Sequence, residues 1–254
     1  MNHYIENIFA YCDRWCKRCP FTAQCIAFVN GEKSTKEELS KQDTENRAFW
    51  ENVDAALPQA ETFIEKTAKK ENIDLTVFDD IPKQVKFDLF QRKAVSNDVL
   101  KSGRKYEDMV DDWLDKQMEN KSIVAVETEL GGAYKVNNAT LKIGKEELLN
   151  GMIDIIVNYQ LKLYLKISRA YYSKGISAET DKNANDAEKD ANGTVKTLTE
   201  MINRSISAWY ILFTNMFEGG DNDIYQILLL LTRIKNNLLT DFPGCMDFKR
   251  PGLD

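Results

Sequence analysis

Two long stretches of helical apolar spacing constrain this chain more than any other feature. From residue 145 to about 172, Leu148, Leu149, Met152, Ile153, Ile156, Tyr159, Leu163 and Ile167 recur with a helical period and cover much of the circumference. A helix apolar over so much of its surface has to be surrounded, so it is expected at the centre of the fold. From 194 to 217, Val195, Leu198, Ile202, Ser205, Trp209, Leu212, Phe213 and Met216 fall on one side, the pattern of a helix-packing seam. Only 5 prolines and 12 glycines punctuate 254 residues, which leaves room for further long helices. They are expected over 35–54, from Pro58 to 71, over 83–121, and from an Asp221 N-cap to about 239. Within the third of these, Gly103 and the polar run 96–105 predict a break. Beyond it Tyr106, Met109, Val110, Trp113, Leu114 and Met118 form an amphipathic stripe. Residues 123–126 and 134–143 are the strand candidates, the second folding as a small hairpin around Asn137-Asn138. Residues 173–192 read as a polar connection, helical in its later part, and the tail from Cys245 to Asp254 as too short for structure of its own. The expected fold class is all-α: a helical bundle over 31–254, with a small cysteine-rich N-terminal lobe over 1–30 forming one unit with it.

That lobe carries the chemistry. Cys12, Cys16, Cys19 and Cys25 follow one another as C-x3-C-x2-C-x5-C, in a chain with only 5 cysteines. Four thiols this close in sequence can converge after one or two tight turns, which suits a tetrathiolate metal site. A short helix is expected from Tyr4 to Cys19, with Ile5, Ile8, Cys12, Trp15, Cys16 and Cys19 on one stripe and Pro20 as its stop. Cysteine also packs well as a small core residue, so a purely structural stripe is the bland alternative. Cys25, beyond the Pro20 turn, does not fit that stripe. Arg14, Lys17 and Arg18 lie between the thiols, where positive charge offsets thiolate charge and favours metal binding. Cys245 reads as a buried or free thiol, or as a ligand replacing Cys12 should the tail fold back.

Zinc and iron–sulfur remain to be separated. Structural four-cysteine zinc usually draws two CxxC pairs from distant knuckles, whereas this chain has one CxxC flanked closely on both sides. Contiguous ligands suit a wide cluster wrapped by a single loop. Residues 16–25, Cys-Lys-Arg-Cys-Pro-Phe-Thr-Ala-Gln-Cys, resemble the C-x2-C-x5-C end of [4Fe–4S] loops, nearest to that of the helix-hairpin-helix DNA glycosylases. Similar endings occur in auxiliary-cluster domains of radical enzymes and in some nucleases. The resemblance covers residues 12–25 and implies a [4Fe–4S] cluster on Cys12, Cys16, Cys19 and Cys25, with Trp15 and Phe21 as shields. It departs from the glycosylases ahead of the CxxC, where three residues rather than six separate Cys12 from Cys16. No helix-hairpin-helix glycine turn followed by a catalytic Lys or Asp is present, so glycosylase activity does not carry over. The C-x3-C-x2-C start also matches radical-SAM spacing, but that chemistry needs an open iron on a βα barrel. Zinc, as the staple of a helical scaffold or interaction protein, stays the alternative cofactor.

Other chemistry has little to work with. The single histidine, His3, leaves no histidine triad, HExxH zincin or paired Glu-x-x-His di-iron site. Asp108, Asp111 and Asp112 facing Asp154 form a conceivable all-carboxylate site, with solvated helix faces as the plainer reading. No phosphate-binding GxxxxGK[ST] or GxGxxG occurs. Asp181, Asn183, Asn185 and Asp186 suggest a calcium loop, but Asp186 replaces the required glycine and Asn192 the required Glu. Lys162, Lys166 and Arg169, near Tyr159, Tyr164, Tyr171 and Tyr172, resemble a single-strand-binding face; an ordinary exposed face is the alternative. The net charge of −6 argues against general attraction to nucleic acid. The beginning of the chain has no basic n-region followed by a long apolar run, and no membrane span is expected. A cytoplasmic location is the resulting expectation, where reduced thiols favour metal over disulfides. A protein partner is left open, and the sequence does not set an oligomeric state.

Overall fold

Local capping chemistry marks where three of the helices begin. The computed structural model describes residues 4–31, 34–78, 97–128, 131–137, 145–179, 184–217 and 220–254. The lobe contains three 3-10 turns, Ile8–Ala10, Cys16–Arg18 and Thr22–Gln24, followed by the four-residue helix α1 (Ile26–Val29). Thr35 then opens α2 (Lys36–Asp54): its hydroxyl accepts the Glu38 N–H at 3.3 Å while the Glu38 carboxylate accepts the Thr35 N–H at 2.7 Å. Pro58 sits in the first turn of α3 (Leu57–Glu71), where a missing N–H costs nothing, and Asn72 ends that helix in the left-handed conformation. Asn97 caps α4 (Asp98–Glu119) through the Leu100 N–H at 3.0 Å. After strands β1 (Ile123–Thr128) and β2 (Gly131–Val136) come α5 (Glu146–Glu179) and α6 (Ala184–Met216). Asp221 caps α7 (Asn222–Asp241) by accepting from the N–H groups of Asp223 and Ile224.

The fold is an all-α bundle built around α5 and α6. These two run antiparallel: Ser173 donates to Asp190 at 2.8 Å near one end, and Lys145 donates to Asn215 at 2.6 Å near the other. Ile156, Tyr159 and Leu163 of α5 and Val195, Leu198, Ile202 and Trp209 of α6 are buried in the seam. Helices α4 and α7 pack against the pair, with Trp113 edge-to-face on Trp209 at 4.8 Å and its indole N–H donating to Asp221. Helix α3 closes the bundle through Phe63, which meets Phe213 and Tyr225. Among the described residues no helix is long and apolar enough to cross a membrane.

Three expectations are corrected. First, α4 runs through Gly103 without a break. This glycine permits a close helix contact, since a Cβ there would lie 2.8 Å from Ile167 Cδ1 on α5. Residues 83–96 of the expected helix lie outside the described residues. Second, the hairpin does not turn at Asn137-Asn138. Ile123–Thr128 pairs antiparallel with Gly131–Val136, and the Asn137 N–H returns to the Ser122 carbonyl at 2.9 Å. The rest of the second strand candidate, 138–143, is outside the described residues. Third, α5 continues through residues 173–179, where the sequence reads as a polar connection. The tail has no helix or strand of its own, as expected, yet it packs on the bundle. Lys196 of α6 donates to the Phe248 carbonyl at 2.7 Å, Arg250 pairs with Glu200, and Phe248 packs on Tyr11.

Candidate metal centre

The lobe does not form the expected helix from Tyr4 to Cys19. Asn7 and Arg14 adopt left-handed backbone conformations, with φ of 58° and 56°, which a continuous helix forbids. Asp13 takes the Trp15 N–H at 3.0 Å, a local turn that competes with helix. The loop is instead shaped by side chains reaching out from the bundle.

Helix α2 contributes most of them. Asp43, buried, accepts hydrogen bonds from the Thr22 N–H at 2.8 Å, the Thr22 hydroxyl at 2.5 Å and the Ala23 N–H at 2.9 Å. One turn on, Asn46 donates to the carbonyls of Lys17 and Cys19, each at 3.1 Å. One further turn on, the Trp50 indole donates to the Arg18 carbonyl at 2.7 Å. These three positions share one face of α2, and together they hold the CxxC turn and the segment leading to Cys25. From α5, Lys162 donates to the Arg14 carbonyl and Lys166 to the Cys12 carbonyl at 3.1 Å. The buried Tyr159 hydroxyl donates to Asp13, and Thr197 of α6 donates to the Tyr11 carbonyl. Lys162 and Lys166 thus dock the loop rather than present a free basic face, and Arg169 turns to Asp190.

The four cysteines are brought to one place. Cys12, Cys16, Cys19 and Cys25 all line a cavity of about 250 Å³, whose other walls include Ile8, Phe9, Trp15, Phe28 and Leu253. Trp15 lines this cavity, and Phe21 lines a neighbouring one. Cys16 is exposed and the other three are half-buried. Among the described residues no three or more His, Cys, Asp or Glu side chains are grouped to hold a single metal ion.

Electrostatics make bare thiolates unfavourable here. Burial pushes the Cys19 thiol up to about 12, and it also raises Cys12 and Cys16; at Cys16 the neighbouring Cys12 and Cys25 add to the rise. Burial in turn lowers Lys166 to about 8, against the pull of Cys12.

Cys245 is buried in the bundle core and does not line the cavity. The tail does fold back, but it brings Leu253 there instead. The carboxylates weighed as one site go to different partners: Asp154 pairs with Arg18 of the lobe at 3.8 Å, and Asp111 accepts from Gln160. Asn185 and Asp186 belong to the first turn of α6, and residues 181–183 of the calcium-loop pattern are outside the described residues. Asp43, Asn46 and Trp50 were not singled out from sequence. Their signal was a polar–polar–aromatic stripe at helical spacing on an otherwise charged helix. Comparisons of the chain with family models, with curated proteins and with solved structures found no match.

Proposed function

We propose that the lobe holds a [4Fe–4S] cluster on Cys12, Cys16, Cys19 and Cys25, in a structural, redox-sensing or electron-transfer role. The observation that carries this reading is that all four thiols line one cavity with apolar walls. A single tetrahedral zinc needs its sulfurs drawn to within about 4 Å of one another. A cube of iron and sulfide needs a space between them, and these cysteines all line one space. The group would supply one-electron redox chemistry at a potential set by hydrogen bonding and exposure.

The chain's own residues do the rest. Asp43, Asn46 and Trp50 fix the backbone that carries Cys16, Cys19 and Cys25, as partners behind metal ligands do. Ile8, Phe9, Phe28 and Leu253 give the cavity an apolar lining, while Cys16 stays open to solvent. Arg14 and Lys166 place positive charge beside Cys12, and Lys162 beside Cys16. Cys19→Ser, purified without oxygen, is expected to lose visible absorption and loosen the lobe while the bundle keeps its helicity. An unchanged spectrum in that variant contradicts the proposal.

A further inference from the structure

A second cavity, of about 310 Å³, adjoins the first. It shares Cys12, Asp13, Cys19 and Leu253 with the cysteine enclosure. Two helices present the same spacing to it: Arg47, Trp50, Glu51 and Asp54 from α2, and Thr197, Glu200, Met201 and Arg204 from α6. Each set recurs at i, i+3, i+4 and i+7, one continuous helix face. Arg18 and Arg250 complete the charged lining. The size lies at the lower end of small-molecule sites, roughly 300–1,000 Å³.

The charges decide what such a space can accept. Arg18, Arg47, Arg204 and Arg250 stand against Asp13, Glu51, Asp54 and Glu200, a balanced set. An apolar ligand would strip water from these groups without replacing it. A simple anion meets the carboxylates, and a simple cation meets the guanidinium groups. A small molecule bearing both charges satisfies both.

Not all of the lining charge is already paired. Glu200 is held by Arg204 at 2.6 Å and by Arg250 at 2.5 Å. Arg18 and Asp54, by contrast, have counter-ions only at 3.8 Å, Asp154 and Arg204 respectively. Among the described residues the side chains of Arg47 and Glu51, exposed at the rim, take part in no hydrogen bond or ion pair. The floor is firm: the Arg204 guanidinium lies 3.9 Å over the Trp50 ring, whose indole N–H is spent on the lobe.

We propose that this cavity binds a free α-amino acid, its carboxylate toward Arg18 and Arg47 and its ammonium toward Glu51 and Asp54, against the wall formed by Cys12 and Cys19. The site does not depend on which metal the cysteines hold. Its occupancy would press on two of the proposed ligands, so binding would be felt at the cysteine centre.

The test is thermal unfolding and calorimetry of the full chain as purified with its metal, with each of the twenty common L-amino acids added in millimolar excess. At least one is expected to raise the unfolding midpoint, as any ligand of the native state does. In Arg47→Ala and in Glu51→Gln, both at exposed positions, the ligand-free midpoint should stay put and the shift should fall at least fivefold. No shift with any of the twenty overturns the proposal, and so does a shift that survives both substitutions. Metal content, measured on the same samples, reports separately on the cysteine site.

Discussion

The α5–α6 pair and the cysteine loop are held by opposite means. The helix pair is sealed by apolar side chains at helical spacing, and much of its seam has no access to water. The loop has only short 3-10 turns of its own, and polar side chains of α2, α5 and α6 take up its backbone groups. Burial is non-directional and tolerates small shifts; hydrogen bonds to a loop specify position. The bundle is therefore the source of stability, and the loop is a placed object whose geometry is borrowed from it.

Substitutions can break that contrast from either side. The largest effect is expected at Trp209, fully buried against Trp113. Trp209→Ala should cost about 3–5 kcal/mol and unfold loop and bundle together in a denaturant titration. Asp43→Ala should separate the two regions. It strands the Thr22 and Ala23 N–H groups, at about 1–3 kcal/mol. Metal retention should drop while the main unfolding midpoint moves little; equal losses in both would mean that the regions are not distinct.

Gly252 sharpens the role of the tail. Its φ is +68°, and a Cβ there would lie 2.3 Å from Ile5 Cγ2. Gly252→Ala should cost about 1 kcal/mol or more and speed hydrogen exchange in residues 246–254, sparing α5 and α6. The smallest effect is expected from pH. Burial of Asp254 works to raise its carboxyl, but hydrogen bonds from Arg250 and Lys196 win and hold it well below the usual carboxylate range. A depressed carboxyl contributes in full above its unfolded value, about 3.9, and the contribution is lost as pH falls through the lower folded value. The tail should therefore stay protected from exchange down to about pH 4 and loosen below it.

The bundle was legible in the sequence because its information is local. The periods of α5 and α6, the Asp221 cap and the Pro58 boundary all act within a turn or two of themselves. The four closely spaced cysteines line one cavity, though not grouped to hold a single ion among the described residues. The loop's conformation was not legible, because its determinants lie far along the chain: Asp43 acts on Thr22, and Lys166 on Cys12. An apolar stripe over 4–19 looked helical, yet Asn7 and Arg14 take left-handed conformations that no period announces. Gly103 misled for a related reason. A glycine that breaks a helix and one that admits a neighbouring helix look alike until the neighbour is in view.

The most direct test of the central claim is a metal and sulfide count on the full chain, purified without oxygen or chelators, read beside its visible spectrum. The account predicts a brown protein with about four irons and four sulfides per chain and broad visible absorption. A colourless protein with one zinc per chain would contradict the cluster and make the loop a structural staple. A protein with neither metal would contradict any metal at these cysteines.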